Sequence, residues 1–386
     1  MKLPLLFSLL LSFTCLAFGL TPEEFQRLYE TPNKNAETCY KLYEAYSRGD
    51  GVGKNDAQAR KWILAAHRCG MTSARKEIAS LPWRKTPPFK KALPVADPGD
   101  ETARQKGEEL VGLLQKWDGT GNGAGMRSDV KTLPKDQLKT VKKLIAEGAD
   151  LNVGVFDAQT LGFDSALALA CSNSDFGLAK LLIDHGADPS ANGNLAIEAC
   201  FVGGGDMPGQ KKRGLTPQEK LSVKAINFLL KSGADVSLWS ESGWSIAYAA
   251  TFSQSPLGLS TLVKGGADPD QRQNPNEYVP AAGHPKRLQY RYIGGWVKDR
   301  SRPITCAVDN GFVSLVQELI RLKADLKTPD SNGLTPLGNA RQQLKATRER
   351  ARERNSSNPE FEAKREKIIF LLKAAGAPET PEATGE

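Results

Sequence analysis

From residue 140 onward one phrase recurs, and it constrains the fold more than any other feature of the chain. Each copy closes an apolar, helix-like stretch with Gly-Ala-Asp or a near variant. Glycine at such a point fits the left-handed residue that ends a helix, and aspartate can begin the turn that follows. The six copies are residues 141–150, 179–188, 226–235, 259–268, 316–325 and 368–378.

The spacing of these copies sets the length of the repeating unit. Aligned on the glycine position, at residues 148, 186, 233, 266, 323 and 376, they lie 38, 47, 33, 57 and 53 residues apart. The shortest interval is 33 residues, so each longer interval contains inserted sequence. Units of this size bury their apolar faces against their neighbours, and we expect them to stack.

A second motif begins a helix upstream of most of these turns. It is clearest at residues 335–340 (Thr-Pro-Leu-Gly-Asn-Ala), with weaker versions starting at Arg302, Ser165 and Ser245. A 33-residue period with two short helices resembles the ankyrin repeat, whose motif is T-P-L-H-x-A. All copies lack the motif histidine, so its hydrogen bonds need substitutes. The resemblance implies an all-α fold, an α-solenoid of about six ankyrin-like repeats over residues 105–378.

Three insertions lengthen the repeats. Those at 203–218 and 341–367 fall between the two helices of a repeat, and we expect the second to lengthen both helices. The alternating charges of 341–367 are typical of an exposed helix with internal ion pairs. The insertion at 271–301 differs, because it falls in the turn-like finger that joins successive repeats. Repeat insertions often map to a binding face.

The inserted finger is the first candidate for a binding site. It is rich in the residue types that dominate interface energies, and the preceding finger adds two tryptophans. An alternative stays open: the insertion folds back over the repeat edges and its aromatic side chains form a local core. The candidate partner-binding residues are Trp239, Trp244, Tyr278, Tyr290, Arg291, Tyr292, Trp296, Lys298 and Arg300.

Residues 20–80 contain a helix, a glycine-rich turn and a second helix. Their order resembles one Sel-one-like repeat, a relative of the tetratricopeptide repeat. The matching positions are Tyr46, Gly49, Gly51, Val52, Asp56, Ala59, Trp62, Ala65, Ala66 and Gly70. Such units usually need about three copies to be stable, so a single one needs a covalent crosslink or a docking partner.

Cys39 and Cys69 could supply that crosslink. One lies early in the first helix and the other late in the second, so antiparallel packing would bring them together. We predict a disulfide between them in an oxidising compartment, the alternative being two buried thiols. Whether Cys171 and Cys200 also pair is left open by the sequence.

Residues 1–19 have the pattern of a signal peptide, with Lys2, an apolar run and small residues at a cleavage-like site. The run is short for a membrane anchor, and the residues before Cys15 fit a lipoprotein signal poorly. We therefore expect export, to the periplasm or outside the cell, with no transmembrane segment in the mature chain. Residues 81–104 read as a proline-rich basic linker and 379–386 as a disordered tail.

Motifs for catalysis or metal binding are missing from the sequence. Its three histidines, His67, His185 and His284, lie in different units, and no histidine or cysteine pair has the spacing of zinc ligands. Neither a nucleophile elbow nor a phosphate-binding loop with its lysine is present. We expect no cofactor, no metal and no enzymatic activity.

The sequence thus predicts a binding protein without catalysis, which holds a protein or peptide partner on its fingers and concave face. The net charge of +8 and the pI near 9.0 favour acidic partners. The alternative is adhesion to an anionic polymer of the cell envelope, such as peptidoglycan, acidic glycan or lipopolysaccharide. Nucleic acid is not expected, because the chain is predicted to be exported.

Overall fold

The computed structural model describes residues 19–31, 34–68, 71, 74, 101–118, 127–157, 162–203, 215–240, 243–274, 301–330, 332–353 and 359–380. The predicted signal peptide, most of the linker and most of the tail lie outside these residues. Within them the chain is α-helical apart from one short β-hairpin. No helix in this part of the chain is both long and apolar enough to cross a membrane.

The described part of the N-terminal unit includes helices α1 (Pro22–Glu30), α2 (Ala36–Arg48) and α3 (Asp56–Arg68). Thr21 and Glu24 form a capping box that starts α1, and Gly49 ends α2 in the left-handed conformation, with φ of 87°. Helices α2 and α3 form the expected hairpin. The unit has a core of its own, which includes Phe25, Cys39, Leu42, Trp62 and Ile63.

The rest of the described chain contains six helix pairs. In order they are α4 (Glu101–Asp118) with α5 (Lys135–Ala146), α6 (Ala166–Ser172) with α7 (Phe176–Asp184), α8 (Ala191–Glu198) with α9 (Pro217–Lys231), α10 (Ile246–Phe252) with α11 (Pro256–Lys264), α12 (Pro303–Asn310) with α13 (Val313–Arg321), and α14 (Pro336–Glu353) with α15 (Pro359–Ala374). Helix α4 begins at Glu101, so the last four residues of the predicted linker belong to the first pair.

The helix pairs stack in sequence order into two layers. Each first helix packs on the first helix of the next pair, and from the third pair onward the second helices do the same. Strands β1 (Val155–Asp157) and β2 (Gly162–Asp164) form an antiparallel hairpin between the first two pairs, with Phe156 opposite Phe163. One continuous apolar core runs from Leu110 to Ala377. The prediction of an α-solenoid of ankyrin-like repeats is confirmed.

The six recurring turns share one pattern of hydrogen bonds. In the first, the Gly148 N–H donates to Ile145 O over 3.0 Å and the Ala149 N–H to Leu144 O over 3.0 Å. This is the Schellman ending of a helix, and it requires a left-handed residue. The same two bonds recur at 186–187, 233–234, 266–267, 323–324 and 376–377. All six residues at the glycine position have positive φ, including Lys323.

The aspartates after several of these turns form hydrogen bonds within their own repeat and with a neighbouring one. Asp150 Oδ1 accepts a hydrogen bond from the Asn152 N–H over 2.9 Å, and Asn152 Oδ1 accepts one from the Asp188 N–H of the next repeat over 2.7 Å. Ser190 Oγ accepts in the same way from Asp235 N–H, at 2.6 Å, and Asp270 from Asp325 N–H, at 2.9 Å. Neighbouring repeats are therefore joined without the motif histidine.

The 341–367 insertion lengthens both helices of the last repeat, as expected. Helix α14 has 18 residues and α15 has 16, against 7 and 9 in α10 and α11. Arg348 joins the two helices through ion pairs with Glu362, at 3.2 Å, and Glu366, at 2.6 Å. One member of the charged run is not solvated: Arg365 is buried and donates to the carbonyls of Val308 and Asp309, each over 2.7 Å. It caps α12, whose last carbonyls carry the negative end of the helix dipole.

A candidate binding surface on the fingers and first helices

Two consecutive fingers are joined to each other beside the fourth repeat. We call residues 237–240, 243–245 and 271–274 the paired fingers. Trp239 Nε1 donates to Arg272 O over 2.8 Å, Gln271 Nε2 donates to Ser237 O over 2.7 Å, and the Asn274 N–H donates to Gly243 O over 2.7 Å. The predicted contact residue Trp239 is therefore half-buried, and its indole N–H is used to hold the second finger.

The second predicted tryptophan, Trp244, belongs to an aromatic row. Its ring centroid lies 5.4 Å from that of Tyr248 and 5.0 Å from that of Phe252. Trp244 comes just before α10, and Tyr248 and Phe252 lie four residues apart on one side of that helix. Trp244 and Phe252 are half-buried, and Tyr248 is buried. The Trp244 Nε1 atom is buried and has no hydrogen-bond partner in the described part of the chain.

Polar side chains continue this row across the next two first helices. Asp309 and Asn310 are exposed at the end of α12, and Asp309 Oδ1 accepts from Asn339 Nδ2, at 2.8 Å, and Gln343 Nε2, at 3.2 Å, both on α14. Desolvation of the carboxylate raises the pKa of Asp309, and the hydrogen bonds from Asn339 and Gln343 and the charge of Arg365 partly offset this effect. These aromatic and polar side chains lie on, or directly before, three adjacent first helices, and we call them the first-helix strip.

Tyr248 and Cys306 lie where the aromatic and polar halves of this strip meet. Burial and the neighbouring Cys306 raise the pKa of the Tyr248 hydroxyl, and burial raises that of the Cys306 thiol to about 12. Both groups are therefore neutral hydrogen-bonding groups at physiological pH. Gln273, only 1% exposed, places its amide beside Tyr248, yet neither amide atom makes a hydrogen bond of regular geometry within the described residues.

Sequence reasoning missed the first-helix strip. Tyr248 stands at the motif position of the absent histidine, and Trp244, Tyr248 and Phe252 recur every four residues, so a signal was present. Arg302, which starts one of the weaker motif copies directly after the inserted finger, is buried. It donates to Asp325 Oδ2 over 3.0 Å and to Asp325 O over 2.9 Å, and it also contacts the Thr328 carbonyl. Its role is to fix the turn of the fifth repeat.

The other predicted contact residues lie outside the described part of the chain and stay predictions. They are Tyr278, Tyr290, Arg291, Tyr292, Trp296, Lys298 and Arg300. Cys69 also lies outside it, so the predicted disulfide with Cys39, which is fully buried, is untested.

The open question about Cys171 and Cys200 has a partial answer. Both are buried thiols in adjacent repeats, without a disulfide between them. A hydrogen bond with Cys171, together with burial, raises the pKa of the Cys200 thiol. Among the described residues, no three His, Cys, Asp or Glu side chains are grouped so as to hold a metal ion.

The helix pairs, their Schellman turns and their fingers define an array of ankyrin-like repeats. No protein-family model matches the sequence, and no curated protein matches it. Among solved structures, the ankyrin repeat domain of Bcl-3, a member of the IkappaB protein family, is similar, with 20% identity, a TM-score of 0.38, and 62% of this chain and 94% of that chain covered. An ankyrin repeat domain from Acinetobacter baumannii AYE is similar at 18% identity and a TM-score of 0.38, with 63% and 94% covered.

Proposed function

We propose that the protein is a non-catalytic scaffold that binds a protein or peptide partner on the paired fingers and the first-helix strip of the last three repeats. The observation that supports this most is the placement of the strip on adjacent first helices. The strip runs from the half-buried Trp244 and Phe252 to the exposed Asp309 and Asn310, and each kind of side chain has a role in recognition.

The aromatic half would supply most of the affinity. Trp244 and Phe252 still expose apolar surface, and covering it stabilises a complex by roughly 25 cal/mol per Å². Tryptophan is also among the residues that dominate interface energies. The rings are held in place by one another, so little side-chain entropy is lost when a partner covers them.

The polar half would orient the partner. Asp309 is an exposed residue, and its Oδ1 accepts from Asn339 and Gln343. A carboxylate there suits a backbone N–H or a basic side chain of a peptide. The same charge disfavours an anionic polymer on this surface, so we favour a protein partner over the envelope polymer.

We place this activity in the periplasm or outside the cell, on the signal-peptide pattern of residues 1–19. Cell fractionation together with N-terminal sequencing of the purified protein tests this placement. We expect a mature chain that starts near Leu20 in the exported fraction. An uncleaved chain in the cytoplasmic fraction would show that the protein acts elsewhere.

The binding proposal is tested by crosslinking capture from the native cell envelope. Wild type is compared with Phe252→Ala/Asp309→Ala on the strip, with Tyr290→Ala/Tyr292→Ala/Trp296→Ala on the inserted finger, and with Lys180→Ala/Asp184→Ala as a control. The control removes an exposed ion pair on the second helix α7. All variants are first matched for melting temperature.

We expect the strip variant to lose a partner that the α7 control retains. Loss in the inserted-finger variant as well would extend the surface to those residues. If the strip variant and the inserted-finger variant both capture the same partners as wild type, the proposal is refuted. A steep loss of binding with ionic strength, instead of a modest one, would indicate the anionic polymer.

A further inference from the structure

In the described part of the chain, a hydrogen bond between side chains 245 residues apart joins the N-terminal unit to the repeat array. Asn274 Nδ2, in the paired fingers, donates to the Tyr29 hydroxyl of α1 over 2.8 Å. Both side chains are half-buried. A tyrosine with an apolar ring and a polar tip is well suited to such a contact, because one residue can pack in its own unit and bond to another.

The array side of this contact is held rigidly. The Asn274 backbone N–H donates to Gly243 O, and the preceding residues of the finger are bound to the first finger by Trp239, Ser245 and Gln271. Gly243 directly precedes Trp244. The Tyr29 contact therefore lies at the edge of the aromatic half of the first-helix strip.

The N-terminal side is equally fixed. The Tyr29 ring stacks on Phe25, at a centroid distance of 5.5 Å, and meets the edge of Trp62 at 6.3 Å. The Lys34 ammonium lies 5.7 Å from the Tyr29 centroid and 5.6 Å from that of Trp62. Cation–π and aromatic contacts of this kind restrict the ring. The hydroxyl is thus presented to Asn274 by a preorganised cluster.

We propose that the N-terminal unit is an internal ligand of the paired fingers, and that an external partner must displace Tyr29 from Asn274 to use this end of the surface. This inference rests on the proposed function. The ligand class follows from the contact itself: a helix that presents an aromatic hydroxyl to the Asn274 amide. A partner that binds only the undocked form has its apparent affinity reduced by the undocked fraction.

Hydrogen exchange of the full chain, measured by mass spectrometry, tests the docking. The variants are Tyr29→Phe, which keeps the ring in its cluster, and Asn274→Ala. The matched controls are Tyr40→Phe, in the same unit with its ring on Tyr43, and Asn227→Ala, on the second helix α9. Loss of one hydrogen bond should speed local opening about fivefold.

We expect each substitution to speed hydrogen exchange in the unit on the other side of the contact. Asn274→Ala should speed exchange in residues 22–30, and Tyr29→Phe should speed exchange in residues 243–274, while the controls do neither. Effects confined to the mutated unit would overturn the inference. The measurement needs no external partner, so this inference can fail while the binding proposal stands, and capture of a partner can fail while docking is observed.

Discussion

Lys323 adopts the left-handed backbone that Gly266 adopts at the same position one repeat earlier, with φ of 61° and 102° respectively. A side chain in that conformation costs about 1 kcal/mol, because its Cβ crowds the backbone, whereas glycine avoids this. The Schellman turn of the fifth repeat therefore forms against a local preference.

Replacing Lys323 by glycine should stabilise the protein. We expect Lys323→Gly to raise the free energy of unfolding by roughly 0.5–1 kcal/mol, measured by urea denaturation. The control Lys345→Gly, inside α14, should lower it by about 1 kcal/mol, because glycine weakens a helix interior. Equal losses in both variants would mean that the turn places no special demand on its residue.

Truncation of Arg302 should be strongly destabilising, because its side chain is only 4% exposed and lies between Asp325 and Asp270. Arg302→Ala leaves the Asp325 and Thr328 carbonyls without their donor, and we expect a loss of about 3 kcal/mol in denaturant unfolding. Arg341→Ala, which removes an exposed ion pair with Glu379, should cost under about 1 kcal/mol. A small effect at Arg302 would contradict its structural role.

The pKa of Asp325 reflects the same contacts with Arg302 and Thr328. Burial acts to raise its pKa, but the Thr328 side chain, the backbone N–H groups of Lys327 and Thr328, and the charge of Arg302 lower it to about 2. A depressed carboxyl pKa stabilises the fold above its ordinary value of 3.8, and this stabilisation is lost as the pH falls toward 2. In Arg302→Ala we therefore expect the acid unfolding midpoint to move to higher pH.

Glu198 should make the stability of the fold depend on pH in the opposite direction from Asp325. Burial raises its pKa from 4.5 to about 7, and its Oε1 has no hydrogen-bond partner in the described part of the chain. The folded state thus keeps the proton to higher pH than the unfolded state does. Stability contributed by the protonated form is full below pH 4.5 and is lost as the pH rises through 7.

Replacement of Glu198 by glutamine measures this contribution. We expect Glu198→Gln to exceed wild type in unfolding free energy by up to about 3 kcal/mol above pH 7, and the difference to vanish below pH 4.5. Glu318→Gln is the control of opposite sign, since its pKa is lowered by the hydrogen bond from Arg321. A difference at Glu198 that does not change with pH would show that the carboxyl titrates normally.

The predicted disulfide between Cys39 and Cys69 is tested by peptide mapping of the protein without reduction. We expect a linked peptide from exported protein, and a fall of about 3 kcal/mol in stability after reduction, because the closed loop restricts the unfolded chain. Cys39→Ser should match the reduced wild type. Two alkylatable thiols in denatured, exported protein would refute the prediction.

Local sequence was enough to predict the repeats, since the residues that end each helix sit next to it in the chain. The Gly-Ala-Asp phrase located all six Schellman turns, and the alignment placed Lys323 in a turn despite its side chain. The lengthening of α14 and α15 followed from an uninterrupted charged run, which a helix can carry on its exposed side.

Contacts between distant residues could not be predicted in this way. Arg302 lies in a basic stretch and reads as a surface cation, because the Asp325 and Thr328 carbonyls that surround it are brought close only by the stacked repeats. Arg365 was misread for the same reason. The contact of Tyr29 with Asn274 has no local signal at all, since it depends on how two separately folded units meet.

Pro378 distinguishes the sixth recurring turn from the other five. It follows Gly376 and Ala377 where an aspartate stands in the other repeats, and proline has no N–H to donate to a neighbouring repeat. Its carbonyl instead accepts from Thr335 Oγ1 over 2.9 Å, and Thr380 Oγ1 accepts from the Thr335 N–H over 3.2 Å. Pro378 therefore cannot supply the inter-repeat N–H donor that Asp188, Asp235 and Asp325 supply, and a repeat designed onto this turn would first need an aspartate in its place.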